Sequence, residues 1–166
     1  MTFDDIPSGT NVFLDANIFI YYVEPHPTFG MACRQLLLRI ENRELQGFTS
    51  SAILASVAHR IMTLEAAAVF QRSMQGIVGW LKQHPAEVQR LSRHKQVIDD
   101  LSLIGIQILS ISGPQISLAA DMSMQLGLLT EDALVVAVMR QQGLQALASH
   151  DSDFDRVPGL TRYAPL

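Results

Sequence analysis

Asn11–Glu24 reads NVFLDANIFIYYVE. Its first four residues, NVFL, are a short apolar run that ends abruptly at Asp15, and ANIFIYYV then begins with helical spacing. An apolar run of this length bounded by a turn former predicts a buried strand. Asp15 or Asn17 can accept hydrogen bonds from the free N–H groups of the following first turn. A strand that hands directly to a helix is the unit of a parallel sheet covered by helices.

The same alternation continues outward from this stretch. Pro25 and Pro27 close the first helix, and PTFGMACRQLLLRIENRE resumes with apolar residues at Met31, Leu36, Leu37 and Ile40. QGFTSS (46–51) predicts a second strand, and SAILASVAHRIMTL a helix with Ile53, Leu54, Val57 and Ile61 on one face. Two helices are expected next, from Leu64 to Lys82 and from Ala86 to Leu103, split at His84-Pro85. GIQILSIS (105–112) is rich in β-branched residues and predicts a buried strand. PQISLAADMSMQLG has proline at a favoured early helix position and glycine at its end, LLTEDALVVAVMRQQG gives another helix, and LQALAS (144–149) a short strand. HDSDFDRVPGL is an acidic turn, and TRYAPL a last edge strand. No repeat or linker divides the chain, so a single domain over residues 1–166 is expected, with the helical pair as an elaboration on it.

The 166 residues can bury one continuous core, and 48% hydrophobic with 17% charged residues excludes a disordered chain. No apolar run reaches the roughly 18 residues of a membrane span. Asp4 and Asp5 stand where a signal peptide would carry positive charge, so a cytoplasmic protein with no membrane association is expected. The single cysteine, Cys33, rules out an internal disulfide and a thiolate zinc cluster, and reads as a buried small hydrophobe. A net charge of −4 does not announce a nucleic-acid binder. Its distribution is uneven: Arg72, Lys82, Arg90, Arg93 and Lys95 face only Glu87 between positions 72 and 95. That segment can meet phosphates or form a solvated helix face.

The acids matter more. In an open parallel sheet, functional groups gather beyond the carboxyl ends of the strands, near the point where the strand order reverses. Asp15 ends the first strand, Asp151 lies just past LQALAS, and Asp132 opens a helix whose preceding loop reaches the same edge. Each also has a plainer use: Asp15 as a helix cap, Asp132 as a first-turn acid beside the helix dipole, and Asp151, Asp153 and Asp155 as a solvated turn. Converged carboxylates repel, and a divalent cation relieves that repulsion. An oxygen-rich, cysteine-free set favours Mg²⁺ or Mn²⁺.

NVFLDANIFIYYVE, LLTEDALVVAVMRQQG and ALASHDSDFDRVPGL resemble the first, third and fourth motifs of PIN-domain proteins, most closely the VapC-type toxins of toxin–antitoxin systems. The resemblance runs in order from Asn11 to the C-terminus. It implies a three-layer α/β/α fold with a central parallel sheet, and a Mg²⁺- or Mn²⁺-dependent ribonuclease. Asp15, Asp132 and Asp151 match the metal-binding and catalytic acids, Asp153 is a further acid at the metal, and Asn17 positions the first aspartate at the substrate. Arg90, Arg93 and Lys95 are candidates for orienting RNA. The resemblance also implies a homodimer and a cognate antitoxin; Phe19, Tyr21, Tyr22 and Phe29 serve such a contact or pack in the core. One motif departs. FTSSAILASVAHR fits the second motif, but Ser56 falls where the family carries a glutamate, and neither His59 nor Glu65 substitutes obviously. The alternative is therefore a catalytically impaired domain acting as an RNA- or protein-binding module.

Overall fold

The computed structural model describes all residues, 1–166. Five parallel strands lie in the order β3-β2-β1-β4-β5: β1 Asn11–Leu14, β2 Gln46–Ser50, β3 Gln107–Leu109, β4 Ala146–Ala148 and β5 Thr161–Tyr163. Phe13 pairs with Phe48 on one side and Leu147 on the other, so β1 is the central strand. Val12, Phe13 and Leu14 are fully buried, as an unbroken apolar run in a doubly covered sheet must be.

The chain walks outward from β1 through β2 to β3, then returns past β1 to β4 and β5. Right-handed crossovers place the helices of the outward walk on one face and those of the return on the other. On the first face α1 (Ala16–Val23), α2 (Gly30–Glu41), α3 (Ser51–Val69) and α6 (Arg93–Leu103) pack together. On the second, α7 (Gly113–Leu126) lies against α8 (Thr130–Gln141). This is the expected three-layer α/β/α arrangement. Cys33 is buried on α2, and burial pushes its thiol up to about 12, which leaves it unreactive.

Three expectations are corrected. The helix predicted from Leu64 to Lys82 is interrupted: α3 runs on to Val69, and α4 (Ile77–Gln83) starts afresh. Gln71 (φ +50°) and Gly76 (φ +81°) are left-handed, and that geometry ends one helix and reorients the next. The helix predicted from Ala86 to Leu103 likewise splits into α5 (Pro85–Val88) and α6. The strand at 105–112 shrinks to Gln107–Leu109 at the sheet edge, where Ile108 is 45% exposed rather than buried. α3 meets the length and hydropathy of a membrane span, but Ile53, Val57 and Ile61 bind it to the main core. α4, the end of α3 and the segment before α6 hold a separate small cluster of Ala66, Ile77, Leu81 and Leu91.

Candidate functional site

The strand order reverses between β1 and β4; Asp15 directly follows β1, and Asp151 lies three residues past the end of β4. Asp15 follows Leu14, and its N–H donates to the carbonyl of Ala148, carrying the β1–β4 ladder one residue past the strand. The Asp15 backbone is extended, and its Oδ1 accepts from the N–H of Ala16 at 2.6 Å, which caps α1. The other oxygen, Oδ2, accepts from Asn17 Nδ2 at 2.6 Å and Ser149 Oγ at 2.7 Å. Oδ1 of Asp15 therefore serves the helix cap, and Oδ2 the network with Asn17 and Ser149.

Ser149, which sequence reasoning did not single out, is the knot of this arrangement. It is fully buried at the end of β4. Its hydroxyl donates to Asp15 and accepts from Asn17 Nδ2 at 3.1 Å and from the N–H of Asp151 at 3.0 Å. That uses a hydroxyl's one donor and two acceptor positions. The only signal in sequence is a small hydroxyl residue at the end of a strand, which many turns share. Asn17 closes the ring, since its Oδ1 accepts from the N–H of His150 at 3.1 Å.

The acidic turn sorts its three aspartates. Asp153 pairs with Arg156, and Asp155 makes a two-pronged pair with Arg162 at 2.7 Å through both oxygens. Arg162 also donates to the carbonyl of Ser149 at 3.1 Å, bracing the end of β4. Its guanidinium holds the Asp155 carboxyl below the usual carboxylate range. Asp151 has no cation of its own; its Oδ1 accepts from the N–H of Asp153. Phe154, fully buried, anchors the turn in the core.

Asp132 comes from the first turn of α8, whose start has no side-chain cap. Burial, and then the charges of Asp151, Asp15, Asp153 and Glu131, push its carboxyl up to about 6, with nothing to lower it. Burial raises Asp15 as well, against its three hydrogen bonds, and the charge of Asp151 adds to the rise. The three predicted acids therefore share one electrostatic field. They do not close into a preformed set: no three His, Cys, Asp or Glu side chains anywhere are already arranged to hold a metal. All-oxygen donors that repel one another and leave a shell open fit a hard divalent cation, which commonly takes only one or two carboxylates and fills its shell with water and phosphate oxygens.

Ser56 is half-buried on α3 and its side chain makes no hydrogen bond. His59 is exposed. The Glu65 carboxylate accepts from the N–H groups of Ser92 at 3.2 Å and Arg93 at 3.1 Å, capping α6, so it does not replace the missing acid. Each of the three basic candidates has an acidic partner: Arg90 with Glu87, Arg93 with Glu24 and Lys95 with Asp99. Arg93 also lines the largest cavity, about 540 Å³ between α1, α2 and α6, which none of the three acids borders.

A sequence model of the family described as PIN domain matches residues 12–160. Ribonuclease VapC2 of Methanocaldococcus jannaschii is 25% identical over 146 residues, 88% of each chain. Among solved structures, VapBC2 from Rickettsia felis, bound to a DNA fragment from their promoter, superposes with a TM-score of 0.58 at 17% identity. It covers 95% of this chain and all of that one. Mycobacterium tuberculosis VapC20, described as a sarcin-ricin loop cleaving toxin, gives 0.56 at 15% identity, over 89% of this chain and 95% of its own. At these identities the structures speak for the fold.

Proposed function

Because this chain belongs to the PIN-domain family, we propose that it is a divalent-metal-dependent endoribonuclease, the toxin half of a toxin–antitoxin pair. The observation that supports the reading is that Asp132 feels the charges of Asp151 and Asp15 beside the β1–β4 switch point, and that burial together with those charges pushes its carboxyl up to about 6. These three would hold Mg²⁺ or Mn²⁺. When bound, such a cation supplies charge to polarise a phosphodiester and acidify water beside it.

The chain's own groups do the positioning. Ser149 and Asn17 fix which oxygen of Asp15 faces the cleft, and Ser149 sets the start of the Asp151 turn. Asp153, already paired with Arg156, supports the site through its backbone N–H on Asp151 rather than as an open ligand. We place the protein in the reducing cytoplasm, to which its one buried thiol is suited, and expect a cognate antitoxin and a homodimer as its assemblies.

A second reading rests on Ser56. With a neutral hydroxyl in the glutamate's place and Glu65 committed to capping α6, the site is one anion short. The domain is then an RNA- or protein-binding module. Mn²⁺ binding and cleavage of total RNA by the native chain, Asp15→Asn and Ser56→Glu separate the two. Nuclease function requires native cleavage, reduced at least about a hundredfold in Asp15→Asn, the loss typical when one electrostatic catalytic group is removed. Cleavage seen only in Ser56→Glu identifies a decayed site.

A further inference from the structure

Beside the acids lies an aromatic cluster that the site does not use. Phe29 stacks on His26 with centroids 4.6 Å apart and planes 11° from parallel, and it meets His150 at 4.4 Å. Tyr21 touches all three rings, at 4.9, 5.6 and 5.8 Å. The cluster is rigidly held. His26 Nδ1 accepts from the N–H groups of Thr28 and Phe29 at 3.2 Å, which ties its ring to the turn before α2. Tyr21 Oη and His150 Nδ1 share a hydrogen bond at 3.2 Å.

It is also joined to the site. His150 sits between Ser149 and Asp151, and its N–H bonds the Asn17 side chain that holds Asp15. Yet it is not part of the core: His150 is exposed, and Phe29 and His26 are half-buried. An acidic cleft on a chain of net charge −4, whose nearest arginines are occupied by Asp153 and Asp155, repels phosphates. Without a bound cation, holding a nucleic acid there needs an uncharged source of affinity. Stacking is that source, at about 1–3 kcal/mol per base and with little sequence preference.

We propose that the solvent-facing sides of His150 and Phe29, locked by Tyr21 and His26, form a platform on which an unpaired base of single-stranded RNA stacks next to the phosphate at the acids. The proposal rests on the nuclease reading for its substrate. A base inside a duplex cannot reach such a platform, so the substrate class is single-stranded RNA or a loop with splayed bases.

The test is equilibrium binding in EDTA of a short 2′-O-methyl RNA, intact or with one abasic residue walked along it. For the native chain one abasic position weakens binding about tenfold. Phe29→Leu and His150→Ala each weaken the intact RNA by a similar factor and no longer respond to that position, while His150→Phe behaves as native. Rings that serve only to pack the α1–α2 corner leave the abasic penalty unchanged in the variants, which overturns the proposal. If Phe29→Leu fails to fold, His150→Phe and the abasic walk on the native chain still decide it. Cleavage by the native chain in Mn²⁺ without any abasic penalty sinks the platform and spares the nuclease; a penalty without cleavage does the reverse.

Discussion

Asp132 is the residue whose chemistry is most exposed to measurement. Its folded-state carboxyl titrates at about 6 against 3.8 ordinarily, because burial and the charges of Asp151 and Asp15 disfavour its ionised form. In the metal-free protein the folded state therefore binds more protons than the unfolded chain between those two values. Stability then falls as pH rises from about 4 through 6 and is level above. After solvent screening the effect is on the order of 1 kcal/mol, or roughly 2–4 °C in Tm. In EDTA, Asp132→Asn should melt higher than the native chain at pH 7.5 and level with it at pH 4; differential scanning fluorimetry at both values decides. The neighbouring aspartates show what sequence withholds at this scale. Asp151, Asp153 and Asp155 look equivalent at alternate positions, and only the placement of Arg156 and Arg162 tells which is left free. Ser149 was hidden for the same reason: its value lies in three partners that are up to 134 residues away in the chain.

Among the elements, those whose period is sustained were legible. β1 and β4 are continuous apolar runs because both sides of the sheet are covered, α8 keeps a sustained apolar pattern, and the limits of these elements fell close to the expected ones. The stretch from Leu64 to Leu103 was not. Its breaks depend on the left-handed turns at Gln71 and Gly76 and on the Glu65 cap of α6, which periodicity does not encode. What forms there is a satellite of four buried residues, braced by Arg72 over Trp80 at 4.2 Å and by Trp80 stacked on His84 at 4.4 Å. So small a cluster opens before the 34-residue main core does. Hydrogen exchange should accordingly be faster over 77–91 than in the strands. Leu81→Ala, costing about 2–5 kcal/mol locally, should accelerate it further while Mn²⁺ binding holds. Equal protection of both regions would show that the satellite and the sheet open together.

For the molecule as a whole, charge is laid out against the usual habit of an RNA-binding protein. The basic residues between 72 and 95 that invited a phosphate track include Arg90, Arg93 and Lys95, each offset by a neighbouring acid. With these three offset, few phosphates should be neutralised by this face, so RNA affinity is expected to depend weakly on salt. A log–log slope shallower than about −1.5 between 50 and 200 mM KCl is expected, at about −0.7 per phosphate neutralised. A slope near −4 would instead place the basic face on the binding surface. The topology itself was readable, because strands and helices alternate along nearly the whole chain; the shortness of β3 was not, since an edge strand and a buried one share the same β-branched residues. The register of β1 on β4 carries a mechanical consequence. Asp15 is tied to the β1–β4 ladder by its N–H on Ala148 and by its side chain on Ser149, whereas Asp132 rides on a helix whose start has no side-chain cap. If the three acids hold a cation, Asp15 is the fixed jaw of a caliper and Asp132 the movable one, so ions of different radius are expected to shift α8 rather than the sheet.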